Sequence, residues 1–421
     1  MIDPKIHGCR SAHLRTMLLA ALLWLGGTAP IPIRWARLMR ESARSAELNR
    51  VDRDAEAGGY YEGLIAGGGD DRQGHTELSM RLTGRPATWA RFDHAGVARV
   101  APKEFLLFEL LRNLKRTFFG RPFTTNNFGM RDRNYSVEKP EGTIRIALLG
   151  ASIDMGWGVG TNETYENQLE DWLNKYAVRR GLKRRFEVLN FAVAAYGPAQ
   201  RYDVYRNKVK AFHPDLVVYA ATLLDPRLQQ IHLRGLLRGR LDPKYDFLKS
   251  AIARAALDDE DVAIDLDGDL KHKDRLNNKL DPLMWDVEKD ALAALVKDTR
   301  SAGIAAALLI IPRVGKIDSP ENRAAGVDRL KTIARDLGLP VVDASGAFDR
   351  IDSSRIEIAP MDDHPNALGH KAIYKAIARV IATDPSIRRV VLGDDSTSEE
   401  KNSTPAVDPG ETNQAHPNPT P

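Results

Sequence analysis

The sequence predicts a three-layer α/β/α sandwich around a central parallel sheet. From about residue 142 short apolar runs alternate with helical patterns, as βαβ units do. The runs at 144–149, 186–193, 216–222, 304–312 and 340–343 lack polar alternation, which marks strands covered on both faces. Between and after them lie apolar stripes at helical spacing. One stripe is Tyr165, Leu169, Trp172, Leu173 and Tyr176; a second, within 285–300, is Leu292, Leu295 and Val296. A third is Leu368, Ala372, Ile373, Ile377, Val380 and Ile381.

Taken in order, the 421 residues suffice for one large domain with accessory segments. Residues 1–40 contain an apolar stretch at 17–33, with Lys5, Arg10 and Arg15 before it and Arg34, Arg37 and Arg40 after it. Such a segment reads as an export signal or a membrane anchor, with contact to a membrane and a place in the cell envelope, or else as a packed soluble helix; basic residues on both sides assign no orientation. Residues 41–138 read as a less regular accessory region, with loop signals at Gly58-Gly59 and Gly67-Gly68-Gly69. Within it, Phe105, Leu106, Leu110, Leu111 and Leu114 predict a helix over 101–119. The sheet domain then spans 139–390, and its long connection at 225–301 is expected to form helices that roof the site. Residues 391–421 are dominated by Pro, Ser, Thr, Glu and Asn and are expected to be disordered.

Composition narrows the function. A formal charge of +4, with basic clusters confined to stretches such as Lys183-Arg184-Arg185, offers no concentrated basic stripe and argues against nucleic acid as a partner. Cys9 is the only cysteine, so no intramolecular disulfide forms. It precedes the apolar stretch, whereas a lipid-anchored cysteine should follow one.

The chemistry gathers at two places. Ser152 closes the apolar run 144–152, at the carboxyl end of a buried strand, where open α/β sheets place their active sites. About two hundred residues later comes Asp362-Asp363-His364-Pro365-Asn366. A hydroxyl, an imidazole and a carboxylate are the nucleophile, base and orienting group of acyl transfer. Gly156-x-Gly158-x-Gly160 begins too far beyond the strand for a dinucleotide loop, and no Gly-Lys-Ser/Thr follows it. Asp362, Asp363, His364 and Asp225 are a donor set that a divalent cation accepts. Asp265-x-Asp267-x-Asp269 starts like a calcium loop but continues with Leu270 and Leu276 at its sixth and twelfth positions, so it reads as a solvated acidic turn. No metal or organic cofactor is expected.

Four blocks, 150–160, 188–197, 214–225 and 361–370, resemble in order and flanking residues those of the SGNH (GDSL-type) hydrolases, over roughly residues 142–387. The resemblance implies Ser152 as nucleophile, His364 as base and Asp362 as its orienting carboxylate, with Asp363 as the alternative. It also implies an oxyanion hole built from the N–H groups of Ser152 and Ala192. Three positions depart from the family pattern: Ala151 replaces an aspartate, Ala192 a glycine and Leu224 the oxyanion-binding asparagine. Asp225 is retained, and Thr222 is a candidate substitute donor. The implied activity is hydrolysis of an acyl ester, such as an acetylated carbohydrate. Acyl transfer to a polysaccharide hydroxyl stays open. So does a catalytically eroded domain that binds or scaffolds, which the departures at Ala151 and Leu224 suggest.

Overall fold

A computed structural model describes residues 96–392 apart from 102, 263–269, 315–318, 359–361 and 363. All of these lie within one compact unit, residues 58–421. The apolar stretch at 17–33, Cys9, the acidic run at 265–269, Asp363 and the residues after Leu392 lie outside the described residues.

Five parallel strands form the central sheet: β5 (Thr143–Leu149), β6 (Arg185–Asn190), β7 (Leu216–Ala221), β8 (Ala305–Ile310) and β9 (Val341–Asp343). Their spatial order is β6-β5-β7-β8-β9, so the chain reverses its direction of travel across the sheet between β5 and β7. Such a reversal opens a crevice at the carboxyl ends of the two strands, where ligands settle. Each predicted run thus appears as a strand, the first two beginning one residue earlier and the last four trimmed by one to three residues where the backbone turns away.

Helices cover both faces. On one side α2 (Tyr165–Arg179), α10 (Ala367–Thr383) and α11 (Pro385–Leu392) pack on Ile146, Leu148, Leu216 and Leu309. On the other, Ala147, Leu149, Val217, Tyr219 and Leu308 meet α3 (Pro198–Asn207), α4 (Asp225–Arg238), α8 (Met284–Ser301) and α9 (Pro320–Leu337). The strand residues alternate between these two cores, which is why no polar position interrupts them. The described part of the 225–301 connection is largely helical, adding α5 (Asp246–Ala255), α6 (Asp259–Val262) and α7 (Leu270–Leu280) between α4 and α8. A short α1 (Ser152–Met155) follows β5 directly. Helix α11 ends at Leu392, two residues into the stretch assigned from composition to the tail, because Val391 and Leu392 are buried.

The expected helix over 101–119 is absent, and the described part of the accessory region is built of strands. Strand β1 (Ala98–Ala101) pairs with β2 (Leu107–Leu110), and β3 (Lys115–Phe118) with β4 (Arg121–Thr124), both antiparallel. Leu107, Asn113 and Phe119 have φ of 66°, 54° and 53°, which no right-handed helix tolerates. Phe119 and Gly120 (φ 68°) together make the two-residue turn with both φ values positive that matches the twist of a hairpin. Asp132 accepts the Asn190 N–H at 2.8 Å, and Tyr135 donates to Glu170 at 2.7 Å, so the segment before β5 is packed into the sheet domain.

Candidate active site

Ser152 sits where β5 stops and α1 begins. Asp154 turns its carboxylate back on this junction, accepting the Ala151 N–H at 2.7 Å and the Tyr165 hydroxyl at 2.6 Å. This is the capping-box arrangement, in which the third residue of a helix satisfies the backbone just before it. Burial raises the Asp154 pKa to about 6, against the opposing pull of the Tyr165 hydrogen bond and the Arg201 charge. Asn190, at the end of β6, donates to the Asp154 carbonyl at 2.8 Å and so ties α1 to the neighbouring strand.

His364 reaches Ser152 from the far end of the domain. Its Nε2 lies 2.7 Å from Ser152 Oγ, and its Nδ1 lies 2.6 Å from Asp362 Oδ1. The same Asp362 oxygen also accepts the His364 backbone N–H at 3.0 Å, which fixes the carboxylate relative to the ring it orients. The His-Pro-Asn sequence explains the placement. Asn366 caps α10 by accepting the N–H groups of Leu368 (2.9 Å) and Gly369 (3.2 Å). Its own N–H donates to Ile356 at 2.6 Å, and His364 accepts the Ile358 N–H at 3.2 Å. Those two bonds pin His364 to the preceding segment. Ser152, His364 and Asp362 are 5%, 4% and 8% exposed, so the three groups lie beneath the surface in a low-dielectric setting.

The remaining sequence-derived candidates separate from this triad. The Ala192 N–H donates to Asn190 Oδ1 at 3.0 Å, because the asparagine side chain folds over its own loop two residues on. The hydrogen bond expected to face an oxyanion is therefore already engaged. Thr222 and Asp225 bond to each other (3.1 Å), and Asp225 forms a buried pair with Arg201, so both belong to the start of α4. Leu224 is the residue before that helix, and its N–H goes to Thr222 Oγ1 at 3.2 Å. The hydroxyl offered as a substitute donor is spent inside the turn. Ser152 is the first residue of α1, and the first N–H of a helix has no acceptor within the helix. Among the described residues no group of three or more metal-ligating side chains converges.

Two contributors went unassigned in the sequence. Trp157 stacks on the His364 ring, with centroids 5.0 Å apart and planes 22° from parallel. Arg131 is buried and donates to the carbonyls of Met155 (2.8 Å), Gly156 and Val159, the loop that carries Trp157. The spacing of Asp154 three residues after Ala151 was a readable capping signal; nothing local announced the other two.

No family model and no curated protein matches the sequence. Solved structures do resemble it. A two-domain esterase active on acetylated mannans is 17% identical over 63% of this chain and 53% of its own, with a TM-score of 0.36. An acetylxylan esterase from Geobacillus stearothermophilus is 17% identical over 56% of this chain and 93% of its own, also at 0.36. A lipolytic protein of the G-D-S-L family from Desulfitobacterium hafniense is 13% identical over 56% and 98%, at 0.32. The chain spans about half the length of the mannan esterase.

Proposed function

We propose that this protein is a serine hydrolase of acyl esters, of SGNH type, acting through Ser152, His364 and Asp362. The observation that carries the reading is the continuous hydrogen-bonded line from Ser152 Oγ through His364 to Asp362. In the proposed reaction Ser152 Oγ bonds to the acyl carbon while its proton passes to His364 Nε2. The resulting oxyanion is held by the Ser152 N–H. His364 then gives the proton to the departing alkoxide, the carbon–oxygen bond breaks, and an acyl-serine is left. Water repeats the sequence in reverse roles, with His364 again taking and returning a proton. Asp362 keeps the imidazole in the tautomer that accepts at Nε2.

The near-complete burial of Ser152 favours a small acyl group, and the sequence resemblance favours an acetylated carbohydrate as its carrier. An envelope location, reached through the apolar stretch at 17–33, belongs to the same proposal and is checked by fractionating cells that express the full chain. A serine-directed fluorophosphonate tests the chemistry: wild type is labelled and Ser152→Ala is not. Labelling that survives in Ser152→Ala overturns the assignment.

One observation favours a second reading. The Ala192 N–H is engaged by Asn190, and Leu224 brings no side-chain donor, so the oxyanion would rest on few groups. Loss of one such donor costs about 10²–10³ in turnover. A non-catalytic domain that binds acylated glycans fits that shortage. Folded wild-type protein that takes no label but binds acetylated oligosaccharide would establish it.

A further inference from the structure

Resting on the serine-hydrolase reading, we infer that Trp157 is a positioning residue for His364, and that Arg131 acts on the site only by holding Trp157 in place. The loop between α1 and α2 makes two left-handed glycine turns, Gly156 at φ 84° and Gly158 at φ 72°. Arg131 reaches into this loop and donates from Nη1 to the Met155 and Gly156 carbonyls and from Nη2 to the Val159 carbonyl. Its flat face rests on Phe123, with the guanidinium carbon 4.7 Å from the ring centroid. Burial pulls the Arg131 pKa down to about 10, and the Glu166 and Glu163 charges only partly offset it.

The fit leaves no slack. A Cβ on Gly156 would lie 2.3 Å from Arg131 Nη1, and one on Gly158 would lie 2.4 Å from Ile358 Cδ1. The loop is thus wedged between Arg131 and the segment that His364 anchors through the Ile358 N–H. Trp157 projects from the middle of it. One face of the indole stacks on His364, while the edge-on Phe118 ring (4.7 Å, 88°) and the tilted Phe119 ring (5.6 Å) support it from the hairpin.

This arrangement does two things to the base. It fixes the plane of the imidazole, so that Nε2 stays on Ser152 while Nδ1 stays on Asp362. It also lays an electron-rich face against a ring that becomes cationic on accepting the serine proton, an interaction that grows during the reaction. The Arg131 hydrogen bonds go to the Met155, Gly156 and Val159 carbonyls, so its effect passes through the loop.

A double-mutant cycle tests this on the full chain, with 4-nitrophenyl acetate turnover, the fluorophosphonate labelling rate and the low-field Nδ1–H proton resonance of His364 as readouts. Trp157→Leu is expected to lower kcat about thirtyfold, the scale of a desolvated cation–π contact, with KM near wild type. It also broadens or shifts the low-field resonance. Trp157→Phe, which keeps a ring face, restores most of both. Arg131→Lys cannot span three carbonyls and mimics Trp157→Leu, and the double variant is no slower than Trp157→Leu alone. Multiplicative losses in the double variant, or unchanged kcat and resonance in Trp157→Leu, would overturn the inference. Should Arg131→Lys not fold, the Trp157→Leu and Trp157→Phe pair decides alone. Failure of the hydrolase reading is distinguishable: wild type then takes no label, while the resonance still reports whether Trp157 orders His364.

Discussion

Arg201 and Asp225 close on each other by two contacts, Nη1 to Oδ2 at 2.6 Å and Nη2 to Oδ1 at 2.8 Å, with neither side chain more than 1% exposed. Arg201 also donates to the carbonyls of Tyr196 (3.0 Å) and Ala220 (2.7 Å), and Asp225 accepts from Thr222. The pair therefore joins α3 and β7 to the start of α4. Removing one partner of a buried pair strands the other charge, so Asp225→Asn is expected to cost about 3–5 kcal/mol in urea unfolding. Labelling of its folded fraction should match wild type. An unchanged unfolding midpoint with lost labelling would return Asp225 to the chemistry.

Gly150 and Asp154 compete for one volume. A Cβ on Gly150 would lie 2.2 Å from Asp154 Oδ2, the oxygen that accepts the Ala151 N–H. Gly150→Ala must expel the carboxylate and leave the junction beneath Ser152 uncapped. A loss of about 1–3 kcal/mol follows from the unsatisfied N–H, together with slower labelling of Ser152. Tyr165→Phe removes only the second bond to the same carboxylate and is expected to cost about 1 kcal/mol. Urea midpoints and labelling rates of the two variants check the order.

What could be read from the sequence follows from how locally each feature is encoded. The sheet strands were legible because burial on both faces forces a continuous apolar run, whatever surrounds it. Ser152 and His364 were legible because each stands at an element boundary, a strand end and a helix start, that announces itself. The hairpins were not. Adjacent leucines at 106–107 and 110–111 satisfy a helical stripe as well as two short strands, and positive φ at Leu107 and Phe119 is not written in those residue types. Arg131 and Trp157 were missed for a different reason: their roles exist only once distant loops converge. The Ala192 N–H was assigned to an oxyanion because its position matched; the side chain of Asn190, two residues away, claims it instead.

The orienting carboxylate is a choice between neighbours that mutation resolves. Asp362 Oδ1 holds both Nδ1 and the backbone N–H of His364, which no other described carboxylate does. Loss of such a group, with the imidazole then free to take the wrong tautomer, lowers kcat about 10⁴-fold in a comparable triad. Asp362→Asn is therefore expected to lose nearly all 4-nitrophenyl acetate turnover while folding normally. Asp363→Asn is expected to stay near wild type. The reverse pattern would move the assignment to Asp363.

His370 links the site to acid stability. It is fully buried on α10, and its Nδ1 accepts the Tyr165 N–H at 3.2 Å, a bond that requires a neutral ring. Burial, with help from the Arg131 and His364 charges, pulls its pKa down to about 3. The unfolded chain, whose histidines titrate near 6.5, binds a proton there that the folded chain refuses. Stability contributed by neutral His370 is thus complete above about pH 6.5 and drains away as pH falls toward 3. Buried Asp132, raised to about 8 chiefly by burial, contributes in the opposite sense: its stabilisation is full below its unfolded value and lost as pH rises through about 8. Replacing His370 isolates one of the two. In His370→Asn the drop in urea midpoint between pH 7 and pH 4.5 should be smaller than in wild type, even though the variant is less stable at pH 7. An equal drop in both proteins would mean that the buried imidazole takes up its proton without unfolding the chain.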